Sequence, residues 1–207
     1  MFRKATFLVA FVLLSLTAGA QINIYLGGNL QGNYSWLRGE EHTYHPGFGG
    51  GLSFVYWEYE YWFLKAGIDY GYMSSSYLNY PEDYGVPINS PDDKIHITFT
   101  EHAVGIPLTI YFRPYESGPN TLLIAGTLKT IFVARLGENS EEYGELVLTG
   151  GEIKNRTKTN VGIGVGYQRQ LDQHMFLNIV PTFNVDIRAD RAFNSINLTA
   201  ELIFGIY

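Results

Sequence analysis

Along most of the chain apolar positions recur at every second residue, and the helical period of 3.6 is missing. Eight segments carry the alternation, each of a length and residue make-up that predicts a β-strand. They run Ile22–Gln31, Gly47–Trp57, Trp62–Ser74, Ile95–Arg113, Leu122–Ala134, Val161–Arg169, Met175–Arg188 and Ser195–Tyr207. In the first, Ile22, Ile24, Leu26 and Leu30 share a face opposite Asn23, Gly27, Asn29 and Gln31. In the sixth, Val161, Ile163, Val165 and Tyr167 alternate with Gly162, Gly164, Gly166 and Gln168. The fourth segment changes parity: Ile95, Ile97 and Phe99 are odd, whereas Val104, Ile106, Leu108, Ile110 and Phe112 are even. One extra residue between Thr100 and Ala103 would reverse the facing, so a β-bulge is expected there.

The connections alternate between short turns, near residues 58–60, 114–120 and 171–174, and longer loops, the longest over 75–94 and 135–160. Short turns at one end and long loops at the other are the signature of a membrane β-barrel. The face opposite the apolar one decides which solvent lies outside. It carries Gly27, Gly47, Gly49, Gly51, Gly67, Gly162 and Gly164 together with Lys65, Asp69, Lys129, Asp186, Arg188 and Glu201. Glycine is a poor residue for a solvated strand surface but fits a narrow lumen, where opposite charges pair. Aromatic residues gather at the short-turn end: Tyr56, Trp57, Tyr59, Tyr61, Trp62, Tyr111, Phe112, Tyr167, Phe176, Phe204 and Tyr207 are read as an interfacial girdle. The expected fold is all-β: an eight-stranded antiparallel up-and-down transmembrane β-barrel.

The first residues are read as a leader. Arg3 and Lys4 precede an uncharged run from Ala5 to Leu16, and Ala18-Gly19-Ala20 supplies a small-residue cleavage site. The run is too short to cross a bilayer as a helix, which takes about 20 residues. Residues 1–20 are therefore expected to be a cleaved signal peptide and residues 21–207 the barrel domain.

Composition narrows the function. The formal charge is −6, and losing Arg3 and Lys4 makes it more negative, which argues against nucleic acid as a partner. There is no cysteine, which excludes disulfides, thiolate metal sites, a thiol nucleophile and a lipidated amino terminus. His42 and His45 are too few for a metal site by themselves, so no metal or other cofactor is expected. Ser74, Ser75, Ser76, Glu101 and His102 lie near one another in prospect, but no nucleophile motif frames them, so no enzyme is expected. Gly162-Ile163-Gly164-Val165-Gly166 reads as a strand rather than a phosphate loop.

Several segments resemble the small outer-membrane β-barrel family of Bacteroidetes-type bacteria, often called PorT-like. They are Ile24–Leu30, with Gly27-Gly28-Asn29; the glycine-rich Pro46–Leu52; Phe63–Tyr70; and Gly162–Tyr167. The most specific is Gly105-Ile106-Pro107-Leu108-Thr109-Ile110-Tyr111-Phe112, which resembles the family's E-I-P-L-x-x-K-Y strand. The chain has Gly105 where the family has an acid and Tyr111 where it has a base, and Glu101 lies just upstream. The resemblance implies an outer-membrane location and a barrel, and little about activity.

The expected role is structural, or binding through surface loops, without an open pore. Expected partners are outer-membrane lipid and a protein at the long extracellular loops, where Tyr77, Tyr80 and Tyr84 sit among acidic residues and prolines. The interior set Lys65, Asp69, Lys129, Asp186, Arg188 and Glu201 is read as a neutralising network. A narrow channel or secretion-associated component is the alternative. A soluble lipocalin-like carrier and a lipid-modifying enzyme stand behind it.

Overall fold

The computed structural model describes residues 23–37, 45–57, 60–79, 94–140, 144–145, 157–187 and 193–206. The strands are β1 (Ile24–Leu37), β2 (His45–Tyr56), β3 (Trp62–Asn79), β4 (Ile95–Ser117), β5 (Asn120–Ser140), β6 (Gly144–Glu145), β7 (Thr157–Asp172), β8 (Met175–Asp186) and β9 (Phe193–Ile206). All pairings are antiparallel, and each long strand pairs with the next. β1 pairs with β9 from Ile24–Ile206 to Leu37–Phe193, closing an eight-stranded ring. The two-residue β6 lies outside the ring, against the upper end of β5 at Asn139 and Ser140.

The alternation is inside out relative to a soluble barrel. Leu30 and Leu52 are each 75% exposed on the outer wall, and Phe54, Ile68, Leu108, Ile163 and Leu198 are exposed with them. Asn29, Ser53, Lys65, Asp69, Asn184 and Glu201 are buried in the lumen. An apolar outside and polar inside suits lipid, and closure pairs the backbone groups that an open sheet edge would leave bare. This orientation rules out the lipocalin arrangement, in which the lumen is the apolar side.

Short turns follow local chemistry. Gly118 and Pro119 join β4 to β5, and Gly118 has φ 59°, as the first position of a two-residue hairpin turn demands. The proline at position 114 coincides with a shift of register between Phe112 and Tyr115, where a missing N–H does no harm. Within the ladders, Pro107 of β4 and Pro181 of β8 coincide with interruptions in pairing that leave the register on either side unchanged.

The expected bulge exists on the other strand. Every odd position of β4 from Ile95 to Tyr111 is buried, so β4 never changes its facing. The shift lies opposite His102 and Ala103, which pair with Arg135 and Val133, so Ala134 is the extra residue, on β5. Val133 is buried before it and Ser140 after it, an odd separation that reverses the facing of β5. Ile95, Ile97 and Phe99 thus face inward, and β4 above His102 has an apolar inner face and a polar outer one.

Two loop boundaries also move. β3 runs to Asn79 and pairs with β4 to Ile95, so Tyr77 belongs to a strand rather than to a loop. β7 begins at Thr157, so Lys158 belongs to the barrel wall. The leader over residues 1–20, and Ile22, His42, Tyr59, Tyr80, Tyr84, Arg188 and Tyr207, lie outside the described residues.

Candidate functional site

The lumen is built in layers. At the short-turn end Val55, Phe63, Tyr111, Leu123, Ala125, Phe176, Val180 and Ile203 form one buried apolar cluster, with Tyr25 and Trp57 packed against it. Trp57 stacks on Phe63 at 4.9 Å and Phe63 on Tyr111 at 4.7 Å between ring centroids. The Arg113 guanidinium sits 4.5 Å from the Trp57 ring and caps the cluster while bonding to Glu116 at 2.9 Å. This is a plug of ordinary protein core. Three residues assigned to the girdle, Trp57, Tyr111 and Phe176, are therefore part of the plug, whereas Tyr61, Phe112, Tyr167 and Phe204 face outward.

Above the plug lie ion pairs that span the lumen. Lys65 Nζ of β3 is 3.1 Å from Glu201 Oε1 of β9, and the Ser53 hydroxyl donates to the same oxygen at 2.8 Å. Asp69 receives Lys129 at 3.2 Å on one oxygen and the Asn29 amide at 3.3 Å on the other. A third pair joins Lys158 of β7 to Glu101 of β4. Each links strands that are not neighbours in the ring, so the pairs act as cross-lumen ties.

The glycines make room for these ties. A Cβ on Gly27 would lie 2.4 Å from Ser53 Oγ, and one on Gly51 2.2 Å from Asp69 Oδ1 and 2.4 Å from the Ile68 carbonyl. Gly51→Ala is expected to displace Asp69 and to lower stability by about 1–3 kcal/mol. The outward Gly28 has open space beyond it, so Gly28→Ala serves as the control that loses nothing comparable. Urea unfolding followed by tryptophan fluorescence checks the pair.

Higher still, a polar chamber is lined by Asn33, Asn160, Asn197, Asp186, Lys129 and Lys158. Asn33, Asn160 and Asn197 each have a buried side-chain oxygen without a hydrogen-bond partner in the protein, which suits water.

The structure thus joins Lys65 to Glu201 and Asp69 to Lys129, and places Asp186 on the wall of the chamber above them. The Glu101–Lys158 pair was not foreseen. Its signal was parity: Lys158 is in step with Asn160 and Gly162, and Glu101 with Ala103 and Gly105. Tyr77 pairs with Ile97 through its backbone. His45 opens β2 opposite Ser35. Among the described residues no cluster of His and acidic side chains suits a metal.

A second band of aromatics surrounds the upper end of the outer wall. Phe48 packs on Tyr72 at 5.4 Å, Tyr72 on His102 at 5.1 Å, and Trp36 on Phe183 at 6.1 Å. The barrel therefore carries aromatics at both ends of its apolar belt, as a membrane barrel does.

Comparison with solved structures agrees with this geometry. Neisserial surface protein A aligns with a TM-score of 0.53 at 14% identity, over 88% of this chain and 97% of that one. The fold is that of a small outer-membrane barrel. Ail, the attachment invasion locus protein of Yersinia pestis, aligns over 89% of this chain and 100% of its own at 12% identity and a TM-score of 0.41. The N-terminal barrel domain of Pseudomonas aeruginosa OprF aligns over 86% and 97% at 10% identity and a TM-score of 0.35. No family model and no curated protein matches the sequence.

Proposed function

We propose that the chain is an integral outer-membrane protein of a Gram-negative cell, delivered by a cleaved leader over residues 1–20, with a structural or surface-binding role and no open pore. The observation that carries this reading is the aromatic plug around Trp57, Phe63, Tyr111 and Phe176, under a lumen tied across by ion pairs. An apolar seal at one end removes the continuous wet path that a channel needs. What the barrel then offers its surroundings is its outer wall and the extracellular end, where β3, β4 and β5 rise past the belt and carry the loops. Membership of the PorT-like family is part of the proposal and rests on the Gly105–Phe112 strand and the glycine-rich openings of β1 and β2. The protein partner is expected at the segment between β3 and β4 that holds Tyr80 and Tyr84.

Fractionation tests the location: the protein should pellet with outer membranes, resist extraction without detergent, and change mobility on boiling. Recovery from the periplasm with no shift would refute a membrane barrel. A planar bilayer tests the seal. The protein should be electrically silent, and steady single-channel currents, altered by Lys129→Ala, would establish the channel instead.

A further inference from the structure

The outer wall changes character sharply on β4 and β5. Below His102 its outward positions are apolar apart from Thr130 and Gly126, with Val104 37% and Phe132 45% exposed. From His102 upward, the outward residues are His102, Thr100, Thr98 and His96 on β4 and Arg135, Gly137 and Asn139 on β5. Every ionisable side chain in that set is His or Arg. Among the described side chains, the carboxylates nearest this height, Glu101 and Asp186, are buried in the lumen. A chain of net charge −6 thus presents, where the apolar belt ends, a patch of hydrogen-bond donors around one fixed positive charge, Arg135.

His102 and Arg135 are directly opposed across the β4–β5 ladder. Arg135 is exposed, and it has no ion-pair partner among the described residues. The Tyr70 hydroxyl lies 2.6 Å from His102 Nδ1, and the Tyr72 ring packs at 5.1 Å from the imidazole. With the phenol donating to Nδ1, a neutral imidazole carries its proton on Nε2, where it serves as a donor to an anion. Arg135 adds the planar fork that matches phosphate oxygens. Basic side chains at a membrane surface attract anionic headgroups over about a Debye length.

We infer that His102 and Arg135, set by Tyr70 and Tyr72, form a docking site for the phosphate headgroup of an outer-leaflet phosphoglycolipid, whose acyl chains lie against Val104 and Phe132. This inference rests on the outer-membrane reading and names one lipid contact within it.

The test uses the mature chain folded into phosphatidylcholine vesicles, with and without diphosphoryl lipid A. The readout is the temperature at which the folded band on an unboiled gel converts to the unfolded one. Lipid A should raise that temperature for the native protein. For His102→Gln and Arg135→Gln, the lipid A fraction giving half of the effect should rise about tenfold, as loss of a charge-assisted hydrogen bond implies. Both residues sit on the outer wall away from the plug, and a folded band in plain vesicles verifies each variant. Equal stabilisation of native and variant proteins would overturn the site. An equal effect of inorganic phosphate in plain vesicles would overturn the lipid assignment. Failure of the native protein to give a folded band in any vesicle would count against the membrane barrel itself.

Discussion

Lys65→Met should destabilise the barrel by about 3–5 kcal/mol, the cost of leaving a buried carboxylate without its cation. Glu201 is 1% exposed, and its Oε1 is held by Lys65 and Ser53, while Oε2 has no protein partner. Removing the ammonium leaves the charge facing Ser53 alone. The loss should appear as a lower urea midpoint in vesicles and as conversion of the unboiled gel band at a lower temperature. The double variant Lys65→Met with Glu201→Met separates pairing from packing. If desolvation of the surviving charge is the cause, the double variant recovers most of the loss, since apolar replacement of both members of a buried pair is often neutral. If the double variant is as unstable as the single one, the tie contributes through its shape, and the charge argument fails.

Ile68→Arg should cost about 2–4 kcal/mol, as for an arginine near the middle of a membrane barrel's lipid face. Ile68 is 63% exposed, opposite Leu52 in the ladder and midway along the outer belt. The sign and size distinguish two worlds. On a water-exposed surface such a substitution usually changes stability by less than about 0.5 kcal/mol. A large loss in vesicles therefore identifies the surrounding medium as hydrocarbon. The same substitution at Tyr61, exposed beyond the end of β2, should be nearly silent and serves as the internal reference.

The architecture was legible because one parity signal runs through every strand. Leu26 and Leu30 against Gly27 and Asn29, or Val161 and Ile163 against Gly162 and Gly164, already assign inside and outside. What parity could not supply was the level along the barrel axis. Tyr111 and Phe176 are aromatic and near strand ends, so they read as girdle, yet their parity is that of Thr109 and Asn178, which face the lumen. Composition and parity disagreed there, and parity was the better guide. The bulge is a related case. The parity change on Ile95, Ile97 and Phe99 was real, but it recorded a change of environment outside the belt rather than a twist of β4. The extra residue, Ala134, sits in a stretch of β5 with little alternation to betray it. Lys158 was hidden for a similar reason, at the base of a polar segment whose upper part resembles any loop. The His102–Arg135 pair joins residues on two strands, and only the register brings them together.

The seam between β1 and β9 has a consequence for how the molecule comes into being. Neighbouring strands such as β4 and β5 meet across a two-residue turn, whereas Ile24 must find Ile206 from the far end of the chain. Contacts of such long sequence separation form slowly, because the entropy of closing the loop is lost before any contact returns it. The hairpins are therefore expected to assemble first and the seam last. Removing β9 would not yield a smaller barrel. It would leave β1 and β8 as two open edges, and the chain would halt as a curled sheet with exposed backbone groups that recruits whatever strand is near.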